Sequence, residues 1–450
     1  MRFKTHLKSF LVLTTLSQTF YACSISESST KDAQEEKKAS NTEQRLKLIK
    51  AFSGIEKYLT IARWRDLFLH GRLEIQTLEF DQNIKFADKF IGHFSNDDTP
   101  KVEEDLWREE GAWSEEGIEV DARDKVETRT VEILKAKSID ENNPPKIIVS
   151  LHGFMTNKVS QNFYFGFHKD LDIAGEKVSL VEKLNAIVMM PNGLKDRPGK
   201  EGAHFWSTGQ GEPCCNFWQV QGGEARVKGE PRSANDALTL DYDVNFIETA
   251  VKTALETYPN NGEVYLLGHS NGAFLAHKIA CNSQLPIKGV IALAGVIPNN
   301  TKSCQNYESM SILQVHGNKD TIIDYDAKAP LFEGWDPLKD KPIEYRYQTA
   351  QATYEYYSSR KGCAQASASS NFQVRGKNYL ARLLNIHENI SEAIFRDCGE
   401  KDRVGLWTIE NGSHIPLFHG SLRMDKKVKP EESFVYRAMQ FVTGGDFEMK

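Results

Sequence analysis

Two hydrophobic patterns alternate along the chain from about Lys125 onward. Apolar runs of strand length occupy Thr130–Leu134, Ile147–Leu151, Ala186–Met190, Val264–Leu267, Gly289–Leu293, Ile312–Val315 and Gly405–Ile409. Apolar residues at helical spacing occupy Tyr242–Tyr258, Gly272–Cys281, Thr349–Ser359 and Ser433–Val442. The alternation predicts an α/β fold in which helices cover both faces of a mostly parallel, twisted sheet. In such a sheet, ligands bind at the carboxyl ends of the strands.

The N-terminus resembles an export signal. Basic residues, among them Arg2 and Lys4, precede a mainly apolar stretch at 10–20, which is too short to span a bilayer. Cys23 directly follows the small residue Ala22, as at a bacterial lipoprotein processing site. We therefore expect Cys23 to be lipidated and the protein to be exported, facing the periplasm or the cell surface. The alternative is an ordinary secretory signal cut elsewhere, which would give a secreted protein.

The segment between this signal and the α/β pattern has a different character. Residues 24–42 are rich in Ser, Glu, Lys and Ala and carry almost no large apolar side chains, which predicts a disordered tether. Apolar residues return at helical spacing over 43–70, and the stretch that follows is charged and ambiguous. The expected organisation is a signal peptide at 1–22, the lipidated Cys and tether at 23–42, an N-terminal helical or irregular extension at 43–124 and the α/β domain at 125–450.

Charge and cysteine content narrow the possibilities further. The chain has 450 residues and a net charge of −6 that is not concentrated in one tract. Because nucleic-acid-binding domains carry a basic stripe, we expect no nucleic-acid partner. An even number of cysteines remains after Cys23, which suggests disulfides in an exported chain, although their number alone leaves the pairing open. These cysteines are Cys214, Cys215, Cys281, Cys304, Cys363 and Cys398.

A Gly-x-Ser-x-Gly pattern at 268–272 is the main chemical signal. The pattern follows the apolar run at 264–267 and opens a stretch with helical spacing. Strand, tight turn and helix in this order form a nucleophile elbow, in which small flanking residues make room for the turn. The sequence therefore predicts Ser270 as a nucleophile, against the alternative of a chance match in a loop.

A serine hydroxyl needs a base within hydrogen-bond reach and an acid that orients the base. When the serine lies on a nucleophile elbow, the acid and then the histidine follow it along the chain. Asp320 comes just past the apolar run at 312–315, where an acid is expected. Asp324 is the nearby alternative.

Three histidines lie beyond Asp320. His414 follows the apolar run at 405–409 through a short flexible loop, and we expect it to be the base. His387 lies in a stretch of helical appearance, and His419 is further from the strand end, so both are weaker candidates.

An acyl-transfer site also needs donors for the oxyanion. The backbone N–H after the nucleophile, that of Asn271, is one expected donor. The second is the N–H of Phe154, because Gly153 after the run at 147–151 allows the backbone to turn its amide inward. Each such donor typically lowers the barrier by about 3 kcal/mol. His152 precedes the serine, so we interpret it as a structural or oxyanion-loop residue.

Taken together, these elements resemble the extracellular polyhydroxybutyrate depolymerase-like esterases, which are close to feruloyl and acetyl xylan esterases. The resemblance extends from about Pro145 to Pro416. It includes Leu151-His152-Gly153, Pro191-Asn192-Gly193, Phe205-Trp206 with Cys214-Cys215, Asp243-Val244, Gly268-His269-Ser270-Asn271-Gly272, Ala280-Cys281, His316-Gly317 with Asp320, Gly362-Cys363, Asp397-Cys398-Gly399, Leu406-Trp407-Thr408-Ile409 and Gly412-Ser413-His414-Ile415-Pro416.

The resemblance implies an α/β-hydrolase fold and a triad of Ser270, Asp320 and His414 that uses neither metal nor organic cofactor. It also implies two disulfides, Cys363 with Cys398 and Cys281 with Cys304. The partners of Cys214 and Cys215 stay open.

The resulting hypothesis is a lipid-anchored serine esterase acting on polyhydroxyalkanoate, feruloyl or acetyl esters. Its partners would be the ester substrate, small or polymeric, and the membrane through the N-terminal lipid only. Trp206 and His269 are candidate substrate contacts, and Trp206 has the alternative role of anchoring its loop in the core. The competing hypotheses are a serine peptidase of the oligopeptidase type and a non-enzymatic, polymer-binding surface lipoprotein.

Overall fold

The computed structural model describes the chain in segments. These are residues 73–87, 93–94, 122–154, 156–167, 169–195, 204–208, 219–229, 242–297, 304, 309–327, 332–336, 341–345, 347–360, 363, 390–398, 402–416, 429–430 and 433–444. Several predictions lie outside them: the signal peptide, the tether, the helices at 43–70, and residues Cys23, Cys214, Cys215, His387 and His419.

The strands are numbered in chain order. They are β1 Leu73–Ala87, β2 His93–Phe94, β3 Ala122–Ala136, β4 Lys146–Leu151, β5 Asp170–Ile173, β6 Glu176–Ser179, β7 Ala186–Pro191, β8 Leu194–Lys195, β9 His204–Phe205, β10 Gln219–Val227, β11 Val264–His269, β12 Ile287–Leu293, β13 Ser311–Gly317, β14 Phe332–Asp336, β15 Lys341–Tyr345, β16 Ile390–Asp397 and β17 Arg403–Ile409. The helices are α1 Lys158–Phe165, α2 Leu180–Leu184, α3 Tyr242–Thr257, α4 Asn271–Asn282, α5 Ala350–Ser358 and α6 Phe434–Val442.

One large sheet organises the described part of the chain. Its strand order is β10-β1-β3-β7-β4-β11-β12-β13-β17-β16. The strands from β7 to β17 in this order pair in parallel, whereas β10, β1 and β3 on one side and β16 on the other pair antiparallel. Each strand-length run predicted from the sequence falls within one of these strands, and the mostly parallel sheet is confirmed.

The helices pack on both faces of this sheet, as predicted. Helices α3, α4 and α5 share one hydrophobic core with the sheet, while α1, α2 and α6 share the other. Alternate residues of a central strand supply the two cores: Ile147 and Val149 of β4 face the first, and Ile148 faces the second. The period of two in a strand therefore explains why the consecutive residues 147–149 of β4 are all apolar.

The N-terminal extension is partly strand, which corrects the helical or irregular character expected for 43–124. Strand β1 pairs with β3 along its whole length, from Leu73 opposite Ala136 to Ala87 opposite Ala122. The boundary at 125 consequently falls inside β3. The inward side of β1 includes Phe80, Gln82 and Ile84, and the buried polar Gln82 interrupts the apolar alternation by which a strand is recognised.

Two disulfides join the pairs that the resemblance implied. One joins Cys281 to Cys304 and the other Cys363 to Cys398. The first ties the last turn of α4 to the segment after β12, and the second ties the segment after α5 to the end of β16. Among the helices that the structure describes, none combines the length and the apolar character that crossing a membrane requires.

Candidate active site

The predicted site residues lie at the carboxyl ends of parallel strands. Phe154 follows β4, Ser270 follows β11, Asp320 follows β13 and His414 follows β17. Because these strands are parallel members of one sheet, their carboxyl ends share one edge. The structure thereby brings together side chains that are far apart in sequence.

Ser270 occupies a sharp turn between β11 and α4. Its backbone has φ 53° and ψ −121°, a conformation that non-glycine residues rarely adopt. A Cβ atom on Gly268 would collide with the carbonyl of Gly272, and one on Gly272 would collide with the carbonyls of Leu151 and His152. Both positions therefore require glycine, because neighbouring backbone leaves no room for a side chain. This geometry is that of a nucleophile elbow.

The three predicted catalytic side chains form a continuous hydrogen-bonded line. Ser270 Oγ lies 2.8 Å from His414 Nε2, and His414 Nδ1 lies 2.8 Å from Asp320 Oδ2. With the proton of the neutral imidazole on Nδ1, His414 donates to Asp320 and accepts from the serine hydroxyl. Ser270 makes no capping bond to helix α4, so its hydroxyl is engaged with His414 instead.

Asp320 is held as a carboxylate by its surroundings. Its Oδ1 accepts hydrogen bonds from the backbone N–H groups of Ile322 and Ile323, at 2.8 and 2.9 Å. Burial opposes ionisation of Asp320, but the attraction of His414 and the hydrogen bonds from His316 and His414 outweigh it and hold its pKa well below the usual value. A carboxylate in this position orients the imidazole and stabilises its protonated form.

Two donors hold the loop at 410–416, which we name the base loop because it carries His414, the predicted base. His269 Nε2 lies 2.9 Å from the backbone oxygen of His414, and the Tyr164 hydroxyl donates to the backbone oxygen of Pro416 at 2.9 Å. The tyrosine ring also lies 4.9 Å from the His269 ring. Burial, and then the nearby His414, lower the pKa of His269 to about 3, so at neutral pH it is an uncharged donor.

This arrangement gives His269 a structural partner, and its contact with the substrate stays a prediction. The side chain is buried, and its Nε2 is occupied by the backbone of His414. Its Nδ1 faces Gly153, where an added Cβ would lie 3.1 Å away. His269 therefore links the base loop to the loop after β4. Its position next to Ser270 in the sequence did not reveal the direction in which its side chain points.

The two expected oxyanion donors flank Ser270. Asn271 is the first residue of α4, and the leading N–H groups of a helix have no partner within the helix. Gly153, which precedes Phe154, lies so close to the nucleophile that an added Cβ would be 3.5 Å from Cβ of Ser270. The backbone segments that carry the Asn271 and Phe154 amides thus both lie next to Ser270.

Trp206 anchors its segment in the core, which corrects the prediction that it contacts the substrate. Its side chain is fully buried, and its Nε1–H donates to the backbone oxygen of His152 at 2.9 Å. The side chain of Asn271 bonds both backbone groups of Trp206, accepting from its N–H at 2.7 Å and donating to its C=O at 3.0 Å. A side chain without exposed surface has no face left for a ligand.

The two competing candidates that the structure describes have other partners. Asp324 Oδ1 accepts from the backbone N–H of Asp326 and is not the carboxylate bonded to His414. His152 is fully buried, donates from Nδ1 to Gly153 O at 2.8 Å and accepts from Gly193 N–H at 2.9 Å. His152 is therefore a structural residue of the loop after β4. Within the described residues, no group of His, Cys, Asp or Glu side chains is arranged to hold a metal ion.

Sequence reasoning missed two residues that touch the site. Tyr164 contacts the base loop across a separation of 252 residues, for which no local pattern exists. His316 stands in the strand before Asp320, and its Nε2 lies 3.2 Å from Asp320 Oδ2. The spacing of four residues between this histidine and the acid was the available signal for that contact.

Comparison with known proteins supports an esterase-like α/β-hydrolase. The family model described as phospholipase/carboxylesterase matches residues 230–333, a stretch that contains Ser270 and Asp320 and ends before His414. This match agrees with the predicted resemblance, and the strand order and the elbow are those of an α/β-hydrolase fold. No curated relative matches the chain at a significant level.

Several solved structures are similar to the chain. Acetyl xylan esterase from Aspergillus awamori is 13% identical, with 65% of this chain and 91% of that chain covered and a TM-score of 0.36. LpqC, a poly(3-hydroxybutyrate) depolymerase from Bordetella parapertussis, is 15% identical, with 51% and 71% covered and a TM-score of 0.31. For a thermostable esterase the identity is 11%, the coverage is 44% of this chain and 45% of that chain, and the TM-score is 0.27. These likenesses carry no argument about the activity of this chain.

Proposed function

We propose that the chain is a serine hydrolase that cleaves carboxylic esters, with Ser270 as nucleophile, His414 as general base and acid, and Asp320 as the orienting carboxylate. The observation that carries the proposal is the hydrogen-bonded line from Ser270 through His414 to Asp320, at the carboxyl edge of the sheet. A serine on a strained elbow beside a neutral imidazole is the arrangement that acyl transfer needs.

The proposed reaction has two halves. In the first, Ser270 Oγ attacks the ester carbonyl carbon while His414 Nε2 takes the hydroxyl proton. The tetrahedral intermediate collapses, the bond to the alcohol oxygen breaks, and His414 returns the proton to the leaving alcohol. In the second half, His414 takes a proton from water, the hydroxide attacks the acyl-enzyme, and the carboxylic acid leaves as the proton returns to Ser270.

The negative oxygen of each intermediate would be stabilised by backbone donors. The N–H groups of Asn271 and Phe154 are the proposed pair, because both segments border Ser270. Removal of one such donor typically costs about 3 kcal/mol of barrier. Neither donor is a side chain, so the oxyanion hole depends on the geometry of the elbow and of the loop after β4.

The proposal extends to the substrate and the location. The resemblance at 145–416 favours polyhydroxyalkanoate, feruloyl or acetyl esters as substrates. Two disulfides fit an oxidising, exported environment. The apolar stretch before Cys23 supports attachment through an N-terminal lipid. On this account, the hydrolase domain is tethered to a membrane surface and acts on esters outside the cytoplasm.

Release of p-nitrophenol from p-nitrophenyl acetate and butyrate tests the proposal. The chain without residues 1–23 should hydrolyse both esters, and Ser270→Ala should abolish the activity. Asp320→Asn should lower kcat by a factor on the order of 10⁴, because the imidazole then takes the wrong tautomer. Asp324→Asn is the matched control and should leave kcat within a factor of about two, since Asn keeps the oxygen that accepts from Asp326 N–H.

Three results would refute the assignment. They are an inactive wild-type protein, a Ser270→Ala variant as active as the wild type, and equal losses in the two aspartate variants. Cleavage of peptides in preference to esters by the same Ser270-dependent site would replace the substrate class while keeping the triad.

A further inference from the structure

A hydrogen-bonded series of buried polar side chains leads from α5 through α4 and β13 to Asp320. Tyr357 OH lies 3.0 Å from His277 Nδ1, and His277 Nε2 lies 3.3 Å from Gln314 Oε1. Gln314 Nε2 lies 3.5 Å from His316 Nδ1 and also donates to the backbone oxygen of Gly295 at 2.9 Å. All four side chains are fully buried.

The hydrogen bonds of this series have one direction. Gln314 Nε2 can only donate, so His316 Nδ1 accepts and the proton of His316 lies on Nε2. Gln314 Oε1 can only accept, so His277 donates from Nε2 and accepts at Nδ1 from the Tyr357 hydroxyl. In each bond between neighbouring members of the series, the donor is therefore the member nearer to Tyr357, and bonds aligned in this way polarise one another.

His316 is the last member of this hydrogen-bonded series, and it contacts the loop that carries Asp320. Its Nε2 lies 2.8 Å from the backbone oxygen of Ile323 and 3.2 Å from Asp320 Oδ2, so one N–H faces two acceptors. The same Asp320 oxygen accepts from His414 Nδ1 at 2.8 Å. The Asp320 carboxylate thus contacts two imidazoles. His316 contacts both ends of the loop from Asp320 to Ile323, at the carboxylate and at the backbone oxygen of Ile323.

Packing alone does not account for this arrangement. A core position costs less free energy when it is filled by an apolar residue than by a polar one whose hydrogen bonds must all be rebuilt. Here the polar positions belong to β13, α4 and α5, and the bonds among them converge on one carboxylate. The direction of the donors favours negative charge at the end of the hydrogen-bonded series, where Asp320 lies.

We propose that His316 is a positioning residue for Asp320, and that Gln314, His277 and Tyr357 fix the ring and tautomer of His316. The proposal rests on the proposed function, because Asp320 matters to catalysis only if Ser270 and His414 perform it. In this role His316 contacts no substrate. It holds the Asp320 carboxylate at the place and in the charge state that His414 requires when it becomes protonated.

Two substitutions of His316 distinguish the contribution of its N–H to kcat from the contribution of its volume. His316→Gln keeps a donor nitrogen at the same number of bonds from Cα, whereas His316→Met fills a similar volume without a donor. We expect His316→Met to lower kcat for p-nitrophenyl butyrate on the order of 10- to 100-fold, the range for a hydrogen bond to a charged group. KM should stay within about twofold of the wild-type value, and His316→Gln should recover most of the lost kcat.

Equal kcat values in His316→Met and His316→Gln would overturn the proposal, as would wild-type kcat in His316→Met. A loss that appears in KM and not in kcat would overturn it as well. Thermal unfolding of both variants shows whether the core is intact. If Ser270→Ala keeps wild-type activity, the proposed function fails instead, so the two failures are distinguishable.

Tyr357→Phe decides the matter if neither His316 variant folds. This change deletes one oxygen at the far end of the series and leaves the ring in place. We expect kcat to fall roughly threefold with KM unchanged, because a neutral hydrogen bond in the network is lost. Tyr354→Phe is the matched control, because Tyr354 lies in the same helix and is not a member of the hydrogen-bonded series. This variant should keep wild-type kcat. Equal kcat in the two tyrosine variants would overturn the proposal.

Discussion

At the residue scale, two side chains bond the backbone of the base loop. Tyr164 OH donates to Pro416 O, two residues beyond His414, and His269 bonds the backbone of His414 itself. The imidazole of His414, the proposed base, is therefore held by backbone contacts as well as by Asp320. Loss of one of these contacts should reduce the fraction of molecules in which Nε2 faces Ser270.

Tyr164→Phe tests this role. Removal of a neutral hydrogen bond of this kind costs about 0.5–1.5 kcal/mol, so kcat for p-nitrophenyl butyrate should fall roughly two- to tenfold. KM should not change, since the hydroxyl faces a backbone oxygen and not the substrate. Tyr258→Phe is the control, because its hydroxyl bonds Gln76 on a different part of the sheet. A Tyr164→Phe enzyme with wild-type kcat would show that the loop is held without the tyrosine.

Individual residues differ in how well the sequence predicts their positions. The line from Ser270 to Asp320 was predictable, because a motif and the order of strand ends specify where its members lie. The side chains of His269 and Trp206 were not, since their sequence positions near the site do not specify the direction in which a side chain points. His269 points to the base loop, and Trp206 points into the core.

At the scale of elements, the disulfide between Cys281 and Cys304 secures the helix that begins directly after Ser270. It links the end of α4 across 23 residues to the segment after β12. A cross-link of this kind typically contributes about 2–4 kcal/mol to the free energy of unfolding. Because α4 also supplies the Asn271 amide, a looser helix would affect the site as well as stability.

We expect Cys281→Ala with Cys304→Ala to lower the free energy of unfolding by about 3 kcal/mol in urea titrations. Dithiothreitol should lower the urea midpoint of the wild type. It should leave unchanged the midpoint of a variant that lacks both disulfides. A wild-type midpoint that is insensitive to the reductant, under conditions in which free thiols are detected, would contradict this contribution.

The central strands were easier to predict than those at the sides of the sheet. Strands such as β4 and β11 are buried on both faces, and each contains an uninterrupted apolar run, at 147–149 and 264–267. Strand β1 alternates buried and partly buried positions only from Phe80 to Ile84, and one buried position is Gln82, which bonds Tyr242 O and Arg129. A polar residue that is satisfied only by distant partners cannot be recognised as a core residue from local sequence.

The stability of the whole molecule should depend on pH through its buried histidines. Burial lowers the pKa of His277 to about 4, although its bond to Gln314 opposes the shift, and lowers that of His269 to about 3. In the unfolded chain both pKa values return to about 6.5. The unfolded state therefore binds more protons below that pH, and the stability present above it is lost as the pH falls toward 4.

His277→Gln should flatten this dependence. The lowered pKa of His277 corresponds to roughly 3 kcal/mol of stability lost between neutral pH and pH 4. Urea unfolding of the wild type and of His277→Gln at pH 7.5, 6, 5 and about 4 measures the difference. The variant should lose less stability than the wild type over this interval. Parallel curves would mean that His277 binds protons equally in the folded and unfolded states.

The sheet as a whole brings the proposed triad together from three separate strand ends. Labelling with a fluorophosphonate probe, followed by mass spectrometry of the intact protein and its peptides, tests this claim most directly. We predict one adduct per chain, on the peptide that contains Ser270, and slower labelling in His414→Ala. Labelling at another residue, or equal labelling of the wild type and of Ser270→Ala, would contradict the account.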